Sequence, residues 1–120
     1  GLAGGNYGSI ANSYAWGIVN AASGAYYVSG LVGYIAGPGT VSYSYATGSV
    51  IGGINRVGGL VGGSRGSTTN SYWNMETTGQ AVSAGGTGKT EAQMMSTSTY
   101  AGWDATNTWN IVSGNYPTLK

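Results

Sequence analysis

Glu76, Glu91 and Asp104 are the only carboxylates in this chain, and it contains no His and no Cys. That composition removes Ser–His and Cys–His nucleophile systems and zinc sites built on imidazole or thiolate. A glycosidase needs two carboxylates on either side of a scissile bond, and Glu76 with Glu91 is the pair on offer. Solvated or helix-capping roles account better for acids this sparse, so the chain reads as non-enzymatic. Gly85-Gly86-Thr87-Gly88-Lys89-Thr90 is close to the end of a phosphate-binding loop. Ser83, however, stands where that loop needs its first Gly. A Gly-rich turn into a short helix capped by Thr90, with Gln93 completing a capping box, fits those residues better. Calcium-binding β-roll repeats need GGxGxD, and Asp104 is the sole Asp. No cofactor and no metal are expected.

The aromatic residues offer binding chemistry. There are 10 Tyr and 4 Trp. Trp16, Tyr26, Tyr27, Tyr34 and Tyr43 are candidates for an outer face, where aromatic stripes form protein interfaces or stack on sugar rings. The competing reading, and the favoured one, gives them structural ladder or core roles. Asn12 and Asn70 are candidates for an internal Asn ladder.

These side chains are carried on an unusual background. The chain has 120 residues, 24 of them Gly, and only 6% are charged. A globular domain ordinarily carries about 25% charge. Val, Ile, Thr, Tyr and Trp favour pleated structure, and abundant Gly and Ser mark tight turns. The expected class is all-β. Net charge is +1, with Arg56, Arg65, Lys89 and Lys120 dispersed. Nucleic acid is therefore not an expected partner, and no apolar run is long enough for a transmembrane helix. The first residue is Gly1 and no signal peptide is visible, so a processed chain or a piece of a longer one is expected.

The organisation is repetitive. Gly1-Leu2-Ala3-Gly4, Gly30-Leu31-Val32-Gly33 and Gly59-Leu60-Val61-Gly62 begin 29 residues apart. A second element comes after each: Asn12-Ser13-Tyr14, Tyr43-Ser44-Tyr45 and Asn70-Ser71-Tyr72. The middle spacing is two residues longer, with the excess assigned to the turn Ala36-Gly37-Pro38-Gly39, where insertion costs least. A period of this length marks a stacked repeat array. Strands too short to be stable alone pair with those of the neighbouring repeat, and like side chains align. Leu2, Leu31 and Leu60 should form an interior ladder, Tyr14, Tyr45 and Tyr72 an aromatic one. Ile10, Val41 and the polar Thr68 should form a third that weakens toward its end. The glycines are expected to turn corners with positive φ and to permit close approach.

Val57-Gly58-Gly59-Leu60-Val61-Gly62 and Ser44-Tyr45-Ala46-Thr47-Gly48-Ser49-Val50 resemble the GLUG motif, found in large bacterial surface and secreted proteins that include filamentous-haemagglutinin-like adhesins and some secreted peptidases. Asn70 to Thr77 is similar to the last repeat of such proteins. The tail with Gly102-Trp103-Asp104, Trp109-Asn110-Ile111 and Asn115-Tyr116-Pro117 is similar to their C-terminal segment beyond that repeat. The resemblance implies a right-handed solenoid and carries no catalytic signature.

The resulting expectation is a short β-solenoid (β-helix) of about three coils over residues 1–78, divided at about 1–29, 30–58 and 59–78. Residues 79–120 should form an irregular C-terminal cap with one short helix, packed on the last coil. The first repeat has no such cap, and an open β edge templates pairing. Upstream repeats, a partner, or head-to-tail self-association through the N-terminal edge would cover it. The expected function is a non-catalytic extracellular or cell-surface structural module or fibre subunit used in adhesion or matrix. The alternative is a glycan-binding adhesin domain, with polysaccharide or a host surface as ligand.

Overall fold

The sequence repeat becomes a repeat of strand pairing. The structure, a computed structural model, describes Gly1–Lys120. Strands Ala3–Asn6, Val32–Ile35 and Val61–Ser64 form one parallel sheet, in which Ala3 and Val61 both pair with Val32. Ser9–Ala11, Thr40–Ser42 and Ser67–Thr69 form the next, aligning Ile10, Val41 and Thr68. Tyr14–Ala15, Tyr45–Ala46 and Tyr72–Asn74 form a third, extended by Thr87–Lys89. Val19–Asn20 pairs with Val50–Ile51, and Tyr26–Ser29 with Asn55–Gly58. The chain is thus mostly strand, in short parallel sheets, and no sheet closes into a barrel. The two extra residues of the middle repeat lie between Ile35 and Thr40, in the predicted turn.

One core lies between these sheets. Leu31, Val32, Ile35, Val41, Ala46, Leu60, Val61 and Trp73 are buried together. Burying one such aliphatic side chain is worth about 1.5–3 kcal/mol. Leu31 and Leu60 are fully buried, but Leu2 is 51% exposed, because no strand lies beyond Ala3–Asn6 to cover it. The interior Leu ladder therefore has two members, not three. Thr68 takes the predicted place after Val41, and its buried hydroxyl has no hydrogen-bond partner.

The glycines of GLVG do one of the two jobs expected of them: they permit close approach but turn no corner. None has positive φ; the left-handed positions fall on Asn12, Tyr27, Tyr43, Arg56 and Asn70 and on glycines outside the motif. What GLVG needs is the absence of Cβ. A Cβ on Gly33 would stand 2.6 Å from the Gly4 carbonyl oxygen, and one on Gly62 would stand 2.6 Å from that of Gly33. Asn12, Tyr43 and Asn70 share one corner, with φ of 51°, 47° and 46°. Asn12 and Asn70 are exposed there and form no internal ladder. Asn tolerates this conformation better than most residues.

A serine ladder, not foreseen from the sequence, joins the same repeats. The Ser13 N–H donates to Ser44 Oγ (3.1 Å) and the Ser44 N–H to Ser71 Oγ (3.1 Å). Each hydroxyl donates to the carbonyl two residues earlier, at 2.9, 2.7 and 2.8 Å for Ser13, Ser44 and Ser71.

The third repeat ends in a helix, Met75–Thr78, capped by Asn74 and closed by Gly79 at φ 72°. Its surroundings take the place of further strands: Thr77 Oγ1 donates to the Thr47 carbonyl (2.7 Å) and Gln80 Nε2 to that of Val50 (3.0 Å). Val82 to Ala84 then closes the GLVG edge. The Gly59 N–H donates to the Val82 carbonyl (3.0 Å), and Ser83 Oγ accepts from Val61 N–H (2.8 Å). The Thr90–Gln93 capping box opens helix Glu91–Met94. A 3₁₀ turn, Thr97–Tyr100, comes next, so the chain holds two short α-helices and a 3₁₀ turn where one helix was expected. None is long enough to cross a membrane.

Candidate functional site

The tyrosines of the NSY and YSY elements form a wall on which the tail lies. Met94, Tyr100, Trp103 and Trp109 pack with Tyr45 in a second buried cluster, flanked by Tyr14, Tyr43, Tyr72 and Tyr116. The tail reaches past the last repeat to the first. Trp103 Nε1 donates to the Asn70 carbonyl (3.0 Å), whereas Trp109 Nε1 donates to Asn12 Oδ1 (3.3 Å). The tyrosine ladder is accordingly interrupted. Tyr14 stacks on Tyr45 at 5.2 Å, but Tyr72 stacks on Trp103 at 6.0 Å.

Burial governs the acid–base behaviour of this wall. The Tyr45 and Tyr100 phenols are pushed far above their usual range, chiefly by desolvation. Both are committed donors: Tyr45 to the Pro117 carbonyl (2.5 Å) and Tyr100 to the Met94 carbonyl (2.6 Å). Tyr116 is pushed up to about 12 by burial, then by its hydrogen bond to Glu91.

The three acids are brought into structural networks. Glu91 Oε2 accepts from Asn74 Nδ2 (2.5 Å) and from Tyr116 OH (2.8 Å). Glu76 Oε2 accepts from the Glu91 N–H (2.6 Å). Neither Glu lines a groove. Asp104 caps a turn, accepting from the N–H groups of Thr106 and Asn107 at 3.0 Å each. Its pKa is lowered, first by the Asn107 hydrogen bond. The glycine-rich stretch before Thr90 forms no phosphate cradle. It enters strand Thr87–Lys89, and the Lys89 ammonium lies 5.6 Å from the centre of the Tyr72 ring.

The candidate outer aromatics separate into two kinds. Trp16, Tyr26 and Tyr27 are exposed, at 51, 61 and 43%. Tyr34 and Tyr43 are half-buried: Tyr34 meets Tyr27 edge-on at 5.0 Å, and Tyr43 meets Trp103 edge-on at 6.5 Å. Tyr43 therefore belongs to the tail-binding wall. Trp16 stands apart from Tyr26 and Tyr27 and lines a groove of about 370 Å³ with Asn110, Val112, Asn115, Tyr116 and Thr118. A second groove, of about 320 Å³, lies at the uncovered edge and includes Leu2, Gly4, Val19, Tyr27 and Ser29. The Ser29 hydroxyl is buried without a partner. The tail's contribution to the Trp16 groove, Asn110 to Thr118, is the part that the sequence did not disclose. Its only signal there is the spacing of Trp109 and Tyr116.

No protein-family model matches this chain, and no solved structure matches it. It is similar to a protein of Evansella cellulosilytica named "Putative Gly-rich membrane protein", with 39% identity over 117 residues. The match takes in 91% of this chain and 13% of that protein, so the chain spans a small part of the relative's length.

Proposed function

We propose that this chain is a non-catalytic β-solenoid module of the GLUG-repeat kind, an extracellular scaffold whose N-terminal sheet edge takes up a further repeat from a second copy, head to tail. The observation that carries this reading is the contrast between equivalent positions at the two ends. Leu2 is half exposed where Leu31 and Leu60 are fully buried. Gly33 and Gly62 need their missing Cβ because a neighbouring carbonyl fills the space, but a Cβ on Gly4 would meet nothing within 4 Å. The same holds for Gly17, beside which nothing lies, against Gly48, whose Cβ would overlap the Gly17 carbonyl. Gly4 and Gly17 thus keep a motif that only a covered edge requires. At the opposite end Thr87–Lys89 is the last strand of the sheet that begins at Tyr14–Ala15. Parallel stacking of copies would join the Thr87–Lys89 edge to Tyr14–Ala15 of the next copy, with Val82 to Ala84, already laid on the GLVG strand, as the layer beside it. The low charge and the wording of the relative's name support a surface location.

The test has two arms. Sedimentation velocity and electron microscopy over a dilution series should reveal oligomers or filaments repeating at about 19 Å for four strand spacings, abolished in Leu2→Lys. Separately, a copy of residues 30–58 placed ahead of Gly1 should raise the melting temperature. Monomers at every concentration sink the self-assembly half. An extended chain no more stable than the original sinks the open-edge reading as well.

A further inference from the structure

We infer that the groove beneath Trp16 binds a neutral saccharide chain, of the all-equatorial β-linked glucose type. This goes beyond the scaffold reading and shares no lining residue with the groove at the open edge. The first argument is preorganisation. Trp16 exposes half its surface, yet its indole is held: Nε1 donates to Tyr45 OH (3.0 Å), and that hydroxyl donates to the Pro117 carbonyl (2.5 Å). The ring also lies 5.1 Å from Tyr14. An indole already fixed loses little rotamer freedom when a ligand stacks on it.

The second argument is the chemistry of the lining. With the indole, the groove is lined by the apolar Met95 and Val112, the Tyr116 ring and the neutral polar Asn110, Asn115 and Thr118. The Asn110 and Asn115 amides make no hydrogen bond within the protein, so their donors and acceptors are free. No charged side chain lines the groove, which disfavours phosphate, carboxylate or ammonium ligands. A groove lined by an exposed indole, other apolar side chains and neutral amides matches a molecule with one C–H face and a rim of hydroxyls. A pyranose with all substituents equatorial presents its axial C–H bonds as such a face, and its vicinal hydroxyls suit an amide's paired donor and acceptor.

The third argument is where the groove comes from. Asn110 and Thr118 face one another in the antiparallel pair Trp109–Asn110 and Thr118–Leu119, while Trp16 belongs to the first repeat. The site exists only because the tail is fastened along the tyrosine wall.

The probe is cellohexaose, titrated into the intact chain and followed by the Trp16 indole N–H resonance and by calorimetry, with hexagalacturonate as the charged counterpart. Cellohexaose should shift Trp16 and leave Trp73, buried in the other cluster, unmoved. Trp16→Ala should weaken binding at least tenfold, and Asn115→Ala, an exposed change that leaves the fold intact, about threefold or more. If Trp16→Ala fails to fold, the resonance map and Asn115→Ala decide. No shift of Trp16 with millimolar cellohexaose overturns the inference, as does equal binding of hexagalacturonate. Retention of full affinity in Asn115→Ala together with Trp16→Ala overturns it too. Binding of an aromatic peptide in place of the sugar assigns the groove to a protein partner and also refutes it.

Discussion

Replacing each Leu of the GLxG motif by Ala gives two different costs for one motif. Leu31 and Leu60 are fully buried among Val32, Val61 and Trp73. Truncating either loses transfer free energy and leaves a cavity that fixed sheets on both sides cannot collapse, at about 3 kcal/mol within the usual 2–5 range. At about 4 °C per kcal/mol for a chain of this size, the melting temperature falls by about 12 °C. Leu2 is half exposed, so roughly half the transfer contribution applies and no cavity forms. Its loss costs about 1 kcal/mol and about 4 °C. Thermal unfolding followed by circular dichroism at micromolar concentration distinguishes these values. Leu2→Ala matching Leu31→Ala in dilute monomer would refute the assignment of Leu2 to an uncovered edge. A Leu2→Ala cost that grows with protein concentration is the result expected if copies cover that edge.

The same geometry sets three further outcomes. Gly33→Ala pushes a methyl against the backbone carbonyls of Gly4 and Tyr27, so it should cost about 1–3 kcal/mol. Gly4→Ala, with open space around it, should stay within about 0.5 kcal/mol; urea titration of both checks the contrast. Thr68→Val removes a buried hydroxyl that has no partner while keeping its shape, and should stabilise by about 1 kcal/mol, measured as a higher urea midpoint. Tyr45, Tyr100 and Tyr116 keep their phenolic protons in the folded chain above the ordinary value of 10.0. Above about pH 10 the unfolded chain ionises first, so the stabilisation is intact below that pH and is lost as pH rises toward the folded values. A melting temperature unchanged from pH 9 to pH 12 would refute the burial of these phenols.

The repeat period, the alignment of Ile10 with Val41 and Thr68, the turn that absorbs the extra residues and the Thr90–Gln93 cap were all legible in the sequence. Each is a local matter of spacing, turn chemistry or capping, and each is enforced again by the neighbouring repeat. Legibility ended where two distant segments met. The sequence assigned no role to the serine hydroxyls, yet those of Ser44 and Ser71 accept backbone N–H groups from the preceding repeat, a role visible only once register is fixed. Of the two roles expected of the motif glycines only close approach held: they make room for carbonyls of adjacent strands, while the corners between the repeats' strands fell on Asn, Tyr and Arg.

By itself the sequence determined that these strands repeat and in what order, because a period needs no partner to be seen. Only the tertiary structure decided which member of each ladder is interior. Burial depends on what stands on either side, and Leu2 has a neighbour on one side alone. The same is true of the tail, whose indoles had several apolar surfaces available. Trp103 settled between Tyr45 and Tyr72, and Trp109 against Tyr14 and Asn12. That choice set the Trp16 groove, for it rests on the shape and hydrogen-bonding options of a wall that exists only after the repeats have stacked.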